Sequence, residues 1–174
     1  MMKLTRRLLI ACAAISIIST LAGCAAVSHS PPGTTTTIVL TRHGDRNMLS
    51  DELNDIGQQR AEALVEAVGE LGISAIYRPD LKRNQQTAQP LEQHLGITSH
   101  VVSSKPNMEE VTHTLLSKHA GEAVIWVGNK HNLQRIYSIL GGEGASPSNY
   151  GDLYIINVKD SGDPEVTKKR YGPS

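Results

Sequence analysis

Arg42-His43-Gly44-Asp45 concentrates more chemistry than any other short run of this chain. It directly follows Thr37-Ile38-Val39-Leu40-Thr41, a β-branched, apolar stretch that reads as a buried strand. The carboxyl end of such a strand is where open α/β sheets gather their ligands. Arg42, and farther on Arg83, can each grip a doubly charged phosphoryl group with a bidentate fork. His43 can supply a neutral imidazole nitrogen as nucleophile, and Gly44 lets the backbone approach the anion closely. This chemistry calls for no metal and no cofactor. The other histidines, His94, His100, His113 and His119, lack the spacing of metal ligands on one helical face. Gly141-Gly142-Glu143-Gly144 lacks the Lys-Ser/Thr of a phosphate-binding P-loop and reads as a helix-ending loop.

The elements that must hold these residues alternate along the chain. Helical spacing runs over 54–71, where Leu53, Ile56, Ala61, Leu64, Val68 and Leu71 share a face and Gly72 is a stop. Ser74–Tyr77 is a short strand, and Lys82–Leu95 a helix stopped by Gly96. Residues 98–102 form another strand candidate, 108–119 a helix, 123–127 an apolar strand and 132–140 a helix. Leu153–Val158 alternates and reads as a late strand at an edge, followed by a polar tail. Strands alternating with helices indicate a single α/β domain with a mostly parallel sheet flanked by helices.

Several motifs in order carry a family resemblance. Arg42-His43-Gly44 is followed by Leu53-Asn54-x-x-Gly57, by Asp80-Leu81-Lys82-Arg83, by Gln86-Thr87-Ala88, and by Val127-Gly128 after a later strand. This set resembles the histidine phosphatase superfamily, which also contains the phosphoglycerate mutases, over nearly the whole stretch from Thr36 to Gly172. The resemblance implies a phosphoglycerate mutase-like fold and hydrolysis of phosphomonoesters through a phosphohistidine on His43. Arg42, Gly44 and Arg83 would bind the phosphate. The partner would be a phosphorylated small molecule or a phosphoprotein. Sugar phosphates, lipid-linked phosphates and phosphohistidine on a protein all stay open as substrates. The short stretch between Arg83 and the later loop leaves little room for the lid of a mutase.

One motif departs from the family. Its second histidine should follow Gly128, where this chain has Asn129, and the local run is Gly128-Asn129-Lys130-His131-Asn132. Asn129 can still donate to a phosphate through its amide. His131, two residues on, is a candidate substitute for the missing imidazole, and Lys130 for its charge. The alternative reading is a weakened or inactive pseudophosphatase that binds a phosphorylated ligand. Glu109, Glu110 and Asp45 are the candidates for a general acid. Adjacent Glu109 and Glu110 also suit the positive end of a helix, and Asp45 a turn. Arg46 is a further arginine near the motif, and Asn54 and Gly57 are read as helix-start residues.

The amino terminus adds a location. Lys3, Arg6 and Arg7 precede an apolar run to Leu21, and Leu21-Ala22-Gly23-Cys24 closes it. Residues 1–23 read as a signal peptide, and the cysteine after Leu-Ala-Gly resembles a lipobox, with Cys24 as the lipidated first residue. Ala25 resembles an outer-membrane sorting signal, which would place the protein in the cell envelope, facing the periplasm. Residues 24–35, rich in Ser, Pro, Gly and Thr, are expected to be a flexible tether, and 36–174 the phosphatase domain. Cys12 lies in the leader, so no thiol remains to oxidise in the domain. The chain balances 17 basic against 17 acidic residues, and it carries no basic stripe with interleaved aromatics, which argues against nucleic acid as a partner. With no Phe and a single Trp, its core must be built mainly from Leu, Ile, Val and Ala.

Overall fold

The computed structural model describes residues 27–174; the leader and Cys24 lie outside them. In chain order the elements are β1 (Thr36–Arg42), α1 (Asp55–Val68), β2 (Ile73–Pro79), α2 (Lys82–Leu95), β3 (His100–Val102) and α3 (Met108–Lys118). They continue with β4 (Ala123–Gly128), α4 (Lys130–Ile139), β5 (Asp152–Val158) and β6 (Glu165–Arg170). A single six-stranded sheet has the order β3-β2-β4-β1-β5-β6. The first four strands of that order run parallel, and β5 and β6 complete it by antiparallel pairing.

Alternation along the strands divides the core in two. Ile38, Leu40, Val124, Trp126, Tyr154 and Ile156 face α3 and α4, which contribute Leu115, Leu133, Ile136 and Leu140. Val39, Ile125, Val127, Leu153 and Ile155 face α1 and α2, which contribute Leu64, Val68, Ala88 and Leu91. Both faces are covered, so the centre of β1 (Ile38, Val39, Leu40) and β4 are continuously apolar rather than alternating in polarity.

The helix signals act as expected. Asn54 Oδ1 accepts from the Gly57 N–H at 2.9 Å and caps α1. Gly72 (φ 63°) and Gly96 (φ 67°) take the left-handed conformation that ends a helical turn. Ile56 is the exception on the apolar face of α1: it is 48% exposed, while Arg60 of the same helix is buried.

The carboxyl-terminal third differs from expectation. β5 is not an edge strand, because it pairs with β1 on one side and with β6 on the other. The edge is β6, formed by residues expected to be a polar tail. Its exposed Lys168, Lys169 and Arg170 suit a strand whose outer side must not pair with another chain. Most of the described part of the expected tether is also seated on the domain. Ser28 N–H donates to the Ile139 carbonyl and Ser30 N–H to that of Lys159, both at 2.9 Å. Gly33 N–H donates to the Asp160 carboxylate at 2.8 Å, and Ser30 is buried against Thr36. The chain is therefore seated on the domain from Ser28 onward, because backbone donors in this stretch find fixed acceptors.

Candidate active site

β1 and β4 are neighbours, and Arg42 lies opposite Gly128 at their carboxyl ends. His43 N–H donates to the Gly128 carbonyl at 3.0 Å, which ties the two loops beyond the strands together. The imidazole of His43 is buried, 3% exposed. Its Nδ1 lies 2.8 Å from the Gly44 carbonyl. A carbonyl only accepts, so Nδ1 carries the proton and Nε2 keeps the lone pair. Burial brings the pKa of His43 down to about 4. The guanidiniums of Arg83, Arg42 and Arg46 push the same way, against the opposing effect of the Gly44 carbonyl.

Arg42 stacks over the Tyr150 ring with 4.1 Å from the guanidinium carbon to the ring centroid. Its Nη1 donates to the Ser148 carbonyl at 2.8 Å, and its buried Nε finds no acceptor among the described residues. The Tyr150 ring also meets His43 edge-on, with centroids 5.7 Å apart. Arg83, in the first turn of α2, donates from Nε to Asn129 Oδ1 at 3.3 Å and from Nη1 to Asp51. Arg42, His43, Arg83 and Asn129 thus come together at one end of the sheet.

Gly44 is required by packing. A Cβ there would lie 2.6 Å from the Gly57 carbonyl oxygen. Gly44 N–H donates to Thr87 Oγ1 at 2.8 Å, and the Thr87 hydroxyl donates on to the Arg83 carbonyl at 2.7 Å. Thr87 is fully buried and so links the His43 loop to the start of the Arg83 helix. The loop that follows Gly128 is held by Asn132, whose Oδ1 accepts from the Asn129 N–H at 2.7 Å and from Trp126 Nε1 at 3.2 Å.

The remaining candidates fall elsewhere. Asp45 pairs with Arg60 Nε at 2.6 Å and is a structural partner of α1. Arg46 turns its Nη1 onto the carbonyls of Ser50, Met48 and Asn47 and braces that loop. Glu109 is exposed, and its hydrogen bond from Arg135 holds the carboxyl below its usual range, the reverse of what a general acid requires. Glu110 is exposed beside it. His131 is exposed in the first turn of α4 and makes no hydrogen bond to His43, Arg42 or Arg83. It lines a groove of about 370 Å³ with Ser104, Lys105, Pro106 and Met108, and Asn129 forms one wall of that groove. Lys130 is exposed. Tyr150, Ser148 and Thr87 are site residues that sequence reasoning did not single out. The Gln-Thr-Ala run around Thr87 was the one available signal.

Residues 38–119 match the sequence model of the histidine phosphatase superfamily (branch 1), a span that contains Arg42, His43 and Arg83 and stops before Asn129. The fold is similar to that of Bacillus stearothermophilus YhfR, with TM-score 0.58 and 18% identity over 76% of this chain and 95% of that one. It is similar to the protein histidine phosphatase SixA, solved with tungstate, with TM-score 0.59 and 14% identity over 77% and 96% of the two chains. It is also similar to a phosphoglycerate mutase of Plasmodium falciparum, with TM-score 0.51 and 14% identity over 77% and 89%. No curated protein sequence matches the chain. The fold is that of a phosphoglycerate mutase-like α/β protein. Over residues 38–119 the chain matches the sequence pattern of the histidine phosphatase superfamily, and the structural neighbours share its fold.

Proposed function

We propose that this domain hydrolyses phosphomonoesters, with His43 Nε2 accepting the phosphoryl group and water then releasing it. The observation that carries this reading is the state of His43. Its ring is locked by the Gly44 carbonyl in the tautomer that leaves Nε2 unprotonated, and burial beside arginines keeps it neutral. A nucleophile must be unprotonated, and the same guanidiniums offer charge to the transferring group. Arg42 has a buried Nε–H without an acceptor among the described residues, a donor suited to an anion that enters the site.

A second reading rests on Asn129. An amide there provides at most a neutral donor, and its oxygen is turned toward Arg83. This favours a pocket that binds a phosphorylated ligand with little turnover. Hydrolysis of an aryl phosphate by the chain, beside His43→Ala and Asn129→His, separates the two. An aryl leaving group departs without help from a general acid, so the assay reads the His43 step itself. The expected result is slow turnover abolished by His43→Ala and raised by Asn129→His by up to about 10²–10³, the usual worth of one well-placed donor. Turnover that survives His43→Ala overturns the first reading. No turnover until Asn129→His establishes the second.

A further inference from the structure

We infer that the phosphate pocket faces away from the membrane to which Cys24 would tether the chain, so that its substrate is water-soluble rather than a phosphorylated lipid of that leaflet. The inference has two bases: lipidation of Cys24, which the Leu-Ala-Gly-Cys sequence suggests, and, for the substrate, the hydrolysis proposed above. The geometry is set by where the chain first meets the domain. Ser28 N–H is held by the carbonyl of Ile139, the last residue of α4, and Ser30 N–H by that of Lys159, just past β5. Gly33 N–H is held by Asp160. β5 runs antiparallel to β1 with Val158 opposite Thr36, so all three anchor points lie at the end of the sheet where β1 begins. Arg42, His43 and Gly128 lie at the end where β1 and β4 finish.

Two lengths decide the orientation. Ser28 follows Cys24 by four residues, and four residues reach about 14 Å when fully extended. The strand between the two ends of the molecule has seven residues, about 23 Å at the rise of a β-strand. A leash of 14 Å that starts from the far end cannot bring the pocket down onto the headgroups. A free tether up to Thr35 would have allowed it, which is why the seating of residues 28–34 matters. Met48 (91% exposed) and Leu49 (fully exposed) project from the loop after β1, hence on the side away from the bilayer. They are not membrane-inserting residues on this geometry.

The full chain, processed, lipidated and reconstituted in phosphatidylcholine vesicles, tests this. Cys12 and Cys24 are the only cysteines, so a cysteine introduced as Ser161→Cys, in the exposed β5–β6 turn, or as Leu49→Cys can be labelled selectively with a fluorophore. A headgroup-attached quencher lipid is expected to remove most of the emission at position 161 and little at 49. Inserting about fifteen Gly/Ser residues after Ala26, a reach of about 20 Å, is expected to erase the difference. Equal quenching at both positions in the uninserted chain, or quenching at neither, overturns the orientation. In the same vesicles a soluble aryl phosphate is expected to turn over while phosphatidic acid is spared. Cleavage of phosphatidic acid by the uninserted chain overturns the substrate assignment. The quenching readout needs no turnover, so a chain that hydrolyses neither compound would count against the proposed activity while the orientation is read separately.

Discussion

At the residue scale, the site depends on two side chains that are absent or small. Gly44 and Gly57 approach each other backbone to backbone, and a methyl group on Gly44 would press on the Gly57 carbonyl, which cannot swing aside. Gly44→Ala is therefore expected to destabilise the domain by about 1–3 kcal/mol, the usual cost of overpacking. It should also disturb the hydrogen bond to Thr87. Urea unfolding checks the first effect, and an unchanged midpoint would count against the close approach. The residues legible in the sequence here were those in contiguous patterns: Arg42, His43 and Gly44 after a strand, Arg83 before a Gln-Thr-Ala run. Tyr150 and Ser148 were not legible, because only the return of β5 beside β1 brings their loop against Arg42. Asp45 and Glu109 could not be placed from sequence either. Their roles were decided by Arg60 and Arg135, partners 15 and 26 residues away.

At the scale of elements, local signals and local structure agree wherever the signal is a cap or a stop. α2 has the bounds read from its sequence, and α1 begins at the cap Asn54. Asn54→Ala removes the bond to Gly57 N–H and is expected to cost about 1 kcal/mol, or a fall of about 2–4 °C in Tm for a domain of this size. Calorimetry reads it directly, and a stabilised variant would contradict the capping role. Disagreement arises where tertiary pairing outvotes local polarity. Residues 165–170 are mostly charged and exposed, and nothing in their periodicity marks a strand, yet β5 offers a full register of partners. α4 begins at Lys130, two residues earlier than its apolar spacing suggests, because Asn132 caps the Asn129 N–H from within the first turn.

At the scale of the whole molecule, burying His43 makes stability depend on pH. Its pKa is about 4 in the fold against an ordinary value of 6.5, so between those values the unfolded chain binds more protons. The contribution of His43 to stability is full above pH 6.5, falls as pH drops toward 4, and changes little below that. The loss is about 3 kcal/mol for this group. Thermal unfolding from pH 7 to pH 4 should show the decline, and His43→Asn should reduce its slope; identical slopes would refute the assignment. The α/β class and the mostly parallel sheet were legible because strand and helix patterns alternate along the chain. A last consequence follows from Trp126, the one tryptophan of the chain. Its indole N–H and the Asn129 N–H share a single acceptor, Asn132 Oδ1. The protein therefore carries its own optical gauge of the pocket: an anion that pulls on the Asn129 amide shifts the strength of the indole's bond, and the emission colour of an otherwise silent core would follow site occupancy without any added dye.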